Sequence, residues 1–316
     1  MATNIGQLLE RSKSRKIIVV TGPPRSGTTP VGDIIAHMPG AVSIYEPWGP
    51  TGDVRINEEF PIVGAGSLTQ DVFVTWLDHL SRLKLQLGQQ SRPSHKKASL
   101  LRQMMLKIGG SRSLHSYRLA RLQPFADTII WKDPHAFLSL PSLLDQGLPV
   151  VVTLRSPFAG AASYKRMGWV TKLEPIYARY KARYGADAIL EESVKMPPCA
   201  VRSAASVWRM GALLVQKHQT SPHLFIVCST ELETNETAVY EALFSWLGVA
   251  AEKPMAYLAQ QQSKRSVGKK APNATHDWTR SLAQTNQYWK EALTPEEVEI
   301  VSTLAGDLAQ ELLGTS

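Results

Sequence analysis

Hydrophobic residues along the chain follow two rhythms. Five short runs are almost continuously apolar: RKIIVVTG (Arg15 to Gly22), AVSIYEP (Ala41 to Pro47), DTIIWKD (Asp127 to Asp133), LPVVVTLR (Leu148 to Arg155) and PHLFIVCST (Pro222 to Thr230). Runs of this length, apolar on both sides, suit strands buried in a parallel sheet. Between them the spacing is helical. Pro30 to Met38 reads as a helix stopped by Pro39-Gly40. DVFVTWLDHLSRLKLQL sets Val72, Phe73, Trp76, Leu80, Leu83 and Leu87 near a helical period. Further helices are predicted over Pro157 to Met167 and Pro198 to His218. A last one opens TPEE, with Thr294 as N-cap and Glu297 in the capping-box position. Strands alternating with helices predict a three-layer α/β/α fold on a mostly parallel central sheet. With 316 residues and no internal repeat, one domain over 1–316 is the simplest organisation, with 52–126 as a helical, basic insertion.

Composition adds little, because 43% hydrophobic and 20% charged residues describe an ordinary globular chain. No apolar run approaches the ~20 residues that cross a bilayer. The opening MATNIGQLLERSKSRK lacks the apolar core of a secretory signal. Cys199 and Cys228 are too few for a disulfide framework and lack metal-ligand spacing. A soluble, cytoplasmic protein without a metal site is the expectation. No pattern specifies an oligomeric state.

Charge changes the picture, because the net +8 is unevenly spread. Between His79 and Ala126 stand ten Lys or Arg and no Asp or Glu. Such a stretch is either a solvated insertion or a positive field that gathers an anion. Nucleic acid fits it less well, since neither a binding module nor aromatic-basic interleaving accompanies the charge.

The chemistry begins at the end of the first strand, in VVTGPPRSGTTPVGD (Val19 to Asp33). Gly22 and Gly27 have the spacing of a P-loop, G-x-x-x-x-G-K-[ST], with Thr29 in the hydroxyl position. Thr28 stands where that loop has its lysine, and the cation lies earlier, at Arg25. Strand, glycine-bracketed turn and helix together make an anion site: backbone N–H groups converge and the helix N-terminus adds partial positive charge. Gly27 permits close approach, and Ser26, Thr28 and Thr29 offer further donors. The missing lysine would reach the β- and γ-phosphates of a nucleoside triphosphate, so its loss suits a ligand without a γ-phosphate.

PRSGTT after a first strand resembles the 5′-phosphosulfate loop of sulfotransferases that use 3′-phosphoadenosine 5′-phosphosulfate (PAPS). A second motif strengthens the resemblance: LRSPFAGAASYKRMGW (Leu154 to Trp169) carries R-x-P-x5-S as Arg155, Pro157 and Ser163. In that family the Arg and Ser bind the donor's 3′-phosphate, and a guanidinium fork suits a doubly charged phosphate. SIYEPWGP and WKDPHAFL resemble the Glu-Pro and Lys-x-Pro elements of the bacterial and carbohydrate-type branch. The phenol-type catalytic His signature and the R-K-G-x-x-G-D-W-K segment are not evident. KRSVGKKAPNATHDW (Lys264 to Trp278) occupies a comparable late position, from which Arg265, Lys269 or Lys270 would close over the nucleotide.

The resemblance implies a P-loop-like sulfotransferase fold and in-line, metal-independent transfer of a sulfuryl group from PAPS to a hydroxyl, less readily an amine. An alcohol needs a base at neutral pH. Glu46, at a strand end, is the candidate, expected to be exposed with a pKa of about 4; His135 is its rival. Lys132 and Arg25 would offset charge on the departing bisphosphate. A saccharide or small-molecule acceptor is implied, and the basic segment suits an acidic one. Two readings compete. A P-loop kinase with a degenerate loop needs a magnesium-holding acid, for which Asp133 is the one stand-in. A non-catalytic protein would use the acid-free segment on polyanions.

Overall fold

The structure, a computed structural model, describes residues 14–87, 111–266 and 282–314. Five strands form one sheet: β1 (Lys16–Thr21), β2 (Ala41–Tyr45), β3 (Thr128–Lys132), β4 (Val150–Leu154) and β5 (Leu224–Cys228). Their order is β2-β3-β1-β4-β5 and all four pairings are parallel. Each predicted strand is present, two to four residues shorter than its apolar run. Alternation within β1 explains the layers: Ile17 and Val19 enter the core on one face, Ile18 and Val20 the core on the other. The sheet is thus covered on both sides, as the three-layer expectation required.

On one face lie α1 (Thr28–Ile35), α9 (Ser229–Leu247) and α10 (Glu252–Ser266), which contribute Val31, Ile34, Tyr240, Phe244 and Leu258. The other face is covered by α2 (Gln70–Ser81), α3 (Arg112–Arg121), α4 (Leu140–Asp145), α6 (Leu173–Tyr184), α7 (Ala188–Lys195) and α8 (Ala200–His218). A third cluster joins α5 (Pro157–Met167) and α8 to α13 (Pro295–Leu313). Two short helices, α11 (Leu282–Gln287) and α12 (Trp289–Ala292), precede α13. The capping box of α13 is formed by Thr294 and Glu297 in both directions.

Two helix expectations are corrected. α1 begins at Thr28 rather than Pro30, because Gly27 caps it at φ 104° and Pro30 is tolerated in a first turn that needs no N–H. α2 stops at Ser81, short of Leu83 and Leu87, and the chain turns at Leu83 with φ 53°. The described part of 52–126 is mostly turns around α2 and α3, packed on the same sheet face. Among the described helices, none is long and apolar enough to cross a membrane.

One contact fixes how closely α8 meets the turn after β3. A Cβ on Gly211 would stand 1.8 Å from Phe137 Cε1, a ring that is fully buried. Gly211→Ala is expected to destabilise the fold by about 1–3 kcal/mol through overpacking, read as a lower urea midpoint at unchanged slope.

Candidate functional site

A parallel sheet opens a crevice at the carboxyl ends of its strands where neighbouring connections diverge. Here β1 stands between β3 and β4, and the ends of these three strands and of β2 carry the candidate residues. The loop after β1 is pressed against β4. A Cβ at Gly22 would lie 2.2 Å from Thr153 O, and Ser26 Oγ lies 2.6 Å from Thr153 Oγ1. The Ser26 hydroxyl therefore ties the loop to β4. Thr21 Oγ1 donates to Asp133 O at 2.8 Å and anchors the loop to β3. Gly27, at φ 104°, caps α1 and would place a Cβ in open space, and a helix N-terminus presents its first amides to anions. Thr28 and Thr29 sit in that first turn, both buried.

Arg25 has a left-handed backbone, φ 73°, which turns its side chain across the crevice. Its Nε donates to Ser163 Oγ at 3.0 Å, and its guanidinium lies 6.0 Å from the Trp169 ring centroid. The two motifs thus meet directly, and Arg25 points toward the second motif rather than toward Lys132. Arg155, at the end of β4, donates to Arg25 O at 3.3 Å. Its carbonyl accepts the Trp208 indole N–H at 2.9 Å, which locks the strand end. The remaining donors of Arg155 go to Asn286 Oδ1 at 3.0 Å and to Thr285 O, both from α11.

Positive charge is concentrated at this corner. Burial, then the charges of Arg25 and Arg166, pull Arg155 down to about 10. Arg25 is lowered by burial and then by Arg166. Three guanidinium groups repel one another here, and every hydrogen bond of Arg155 goes to a neutral oxygen. Such a cluster is stabilised when an anion enters. Arg166 escaped the sequence reading although it follows Ser163 by three positions, on the same helical face.

On the other side of β1, Lys132 and Glu46 form an ion pair of 2.8 Å. Lys132 is 4% and Glu46 23% exposed at the side chain, so the expectation of an exposed Glu46 is corrected. Lys132 leaves β3 beside α1, where a Cβ on Gly32 would stand 3.0 Å from its Cγ. Its ammonium lies 3.8 Å from the Tyr45 ring centroid, while Arg112 covers the same ring at 5.4 Å. Glu46 also has a left-handed backbone, φ 45°. Two such residues, Arg25 and Glu46, flanking one crevice store strain where a site needs fixed geometry. Burial pushes the Glu46 carboxyl up, but the Lys132 charge, aided by His135 and by hydrogen bonds from Lys132 and Tyr45, prevails and holds it below its ordinary value.

The turn after Glu46 rests on Asp133. This carboxylate is fully buried and accepts from Trp48 N at 2.6 Å and His135 N at 2.9 Å. Burial and the nearby Glu46 charge raise its pKa to about 7. Trp48, Trp76 and Trp131 pack beneath it with centroids 4.8–5.3 Å apart. Asp133 thus faces the core and not the loop. His135 lies against Phe60, 5.1 Å between ring centroids, near enough to influence Glu46.

Of the late basic residues, Arg265 pairs with Glu236 at 2.9 Å. The late residues that do reach Arg155 are the uncharged Thr285 and Asn286. Lys269 and Lys270 lie outside the described residues. Among the described residues, no group of three or more His, Cys, Asp or Glu is arranged to hold a metal ion.

These features define an α/β protein whose glycine-bracketed loop after the central strand is flanked by basic side chains at the ends of both neighbouring strands. No protein-family model matches the chain, nor does the sequence of any curated protein. Among solved structures the chain is similar to a sulfotransferase of Mycobacterium avium (14% identity, TM-score 0.45, 97% of this chain and 79% of that one). It is also similar to the sulfotransferase domain of a Synechococcus olefin synthase (15%, 0.43, 93% and 96%). A third likeness is to a mouse sulfotransferase complexed with PAP (12%, 0.46, 97% and 88%). What the residues can do follows from the site's own geometry.

Proposed function

We propose that this protein transfers a sulfuryl group from PAPS to an acceptor hydroxyl. The observation that carries the reading is the direct meeting of the two phosphate motifs. Arg25 of the first bonds Ser163 of the second, and Arg155 bonds the backbone of Arg25, beside an open helix N-terminus. A ligand with anionic groups at both ends of one nucleoside suits this continuous lining. The donor supplies an activated sulfuryl group on its 5′-phosphate. Gly27 and the first amides of α1 hold that end, and Arg155 with Ser163 holds the 3′-phosphate. Glu46 takes the acceptor proton as the new S–O bond forms. Lys132 offsets charge on the departing bisphosphate, and Arg25 spans the two ends.

A kinase is the weaker reading. Thr28 replaces the lysine, and Asp133 spends its carboxylate on two backbone amides inside the core. The acceptor is proposed to be a saccharide or a small hydroxylated molecule. Arg112, on the rim beside Tyr45, favours one with a negative charge.

Calorimetric titration with 3′,5′-bisphosphoadenosine tests the donor. Binding in the presence of chelator, with ATP bound much more weakly, is the expected result. Strict magnesium dependence, or ATP binding as tightly, would overturn the assignment. Labelled PAPS incubated with a cell extract then identifies the acceptor by mass.

A further inference from the structure

The edge of the sheet opposite the crevice carries a second surface. α3 starts beside the site, where Ser113 Oγ donates to Glu46 O and Ser116 Oγ accepts from Tyr45 N. It then runs about 15 Å along the sheet to the segment that feeds β3. At that far end Leu119, Leu122 and Phe125 are 48%, 76% and 96% exposed. Three large apolar side chains standing in water within seven positions are unusual for a surface with no partner.

The surroundings are cationic. Arg118 and Arg121 flank the apolar side chains on α3. The start of β1 lies alongside: Arg15 Nε donates to Ala126 O at 3.0 Å, and Lys16 N to Asp127 O at 2.8 Å. The end of α2 joins them, since Arg15 N donates to Ser81 O at 3.2 Å, bringing in Arg82 and Lys84. Of the acids nearby, Asp78 is held by Arg82 at 2.7 Å and Asp127 accepts from Thr128 Oγ1 at 2.8 Å.

Apolar side chains that enter an acyl layer, ringed by cations that meet acidic headgroups, form an interfacial membrane anchor. We infer that Leu119, Leu122 and Phe125, with the basic rim around them, form a docking surface for an anionic lipid bilayer. A polyanion would engage the arginines but give Leu122 and Phe125 nothing to enter. Docked this way, the protein keeps its crevice turned away from the bilayer, open to the aqueous phase. The surface stands independently of the proposed chemistry.

Cosedimentation of the full chain with vesicles tests this. Binding is expected to vesicles of phosphatidylcholine containing about 30% phosphatidylserine, not to phosphatidylcholine alone, and to fall as salt rises to about 0.5 M. Arg118→Glu with Arg121→Glu is expected to weaken binding about 25-fold or more, at about fivefold per cation lost. Leu122→Ser with Phe125→Ser is expected to weaken it about tenfold or more. Both pairs are exposed, so unchanged thermal melting separates lost docking from lost folding. Failure to pellet with acidic vesicles overturns the inference, as does equal binding to neutral ones. So does binding that either double variant leaves intact. A concentration-dependent dimer abolished by Leu122→Ser with Phe125→Ser would assign the surface to a second copy of the chain instead.

Discussion

Replacing Glu46 by glutamine is expected to lower turnover by about 10²- to 10⁴-fold, the usual contribution of a positioned general base. Affinity for 3′,5′-bisphosphoadenosine should change little, because Glu46 stands on the Lys132 side of β1, away from the Arg155 fork. Full turnover in the variant would remove Glu46 from the mechanism and bring His135 forward. The pH dependence gives a second test, with a definite sign. The ion pair holds the Glu46 carboxyl below its ordinary value of 4.5, so the basic form persists into acid. The acid limb of kcat/KM is therefore expected below the usual glutamate range. Lys132→Met removes the main influence that opposes burial at Glu46, leaving only His135 and Tyr45 to lower it, and the limb should then move upward. A limb that stays in place would show that another group sets it. Depression by Lys132 also makes Glu46 a weaker base. The pair is thus expected to loosen when the acceptor hydroxyl enters and Lys132 turns to the leaving group.

Arg155→Ala is expected to weaken bisphosphoadenosine binding by roughly 10- to 150-fold, the value of hydrogen bonds to a charged group. The maximal rate with saturating donor should fall far less. Unchanged affinity would show that the 3′-phosphate lies elsewhere. Asn286 supplies the control, because its side chain now occupies part of the guanidinium fork while its amide N donates to Glu233 at 2.9 Å. Asn286→Ala leaves the fork intact and releases a neutral competitor. Binding at least as tight as that of the unaltered protein is the expected outcome.

Strands were legible because burial on both faces leaves little choice of residue, as IIVV in β1 and VVVT in β4 show. Helices whose burial is decided by distant partners were not. α9 is a case: its first half, STELETNE, has little apolar periodicity, and the helix breaks at Asn235, with φ −153° and ψ 80°. In the site, Arg155, Ser163, Lys132 and Glu46 are singled out by strand ends and by the resemblance of their motifs. The left-handed backbone of Arg25 and Glu46 could not be read there, since neither residue type announces positive φ. Nor could the cover of Arg155 by Thr285 and Asn286, neutral residues far along the chain. The Glu46–Lys132 pair joins neighbouring strand ends, and its burial follows from Gly32 letting the lysine pass beneath α1. No local pattern records that contact.

The strand order has a consequence for how the protein comes into being on the ribosome. Val20 pairs with Lys132 on one side and with Val151 on the other, so β1 pairs with β3 and β4 but not with its immediate successor β2. The glycine turn after β1 thus emerges long before the residues that shape it. Until β3 has left the exit tunnel that early apolar strand has no lateral neighbour, and one of its two edges stays open until β4 follows. Parallel pairings between distant segments form slowly and leave sticky edges waiting. Nascent chains halted before position 150 should therefore depend on chaperones most heavily, and the nucleotide crevice is among the last features to appear.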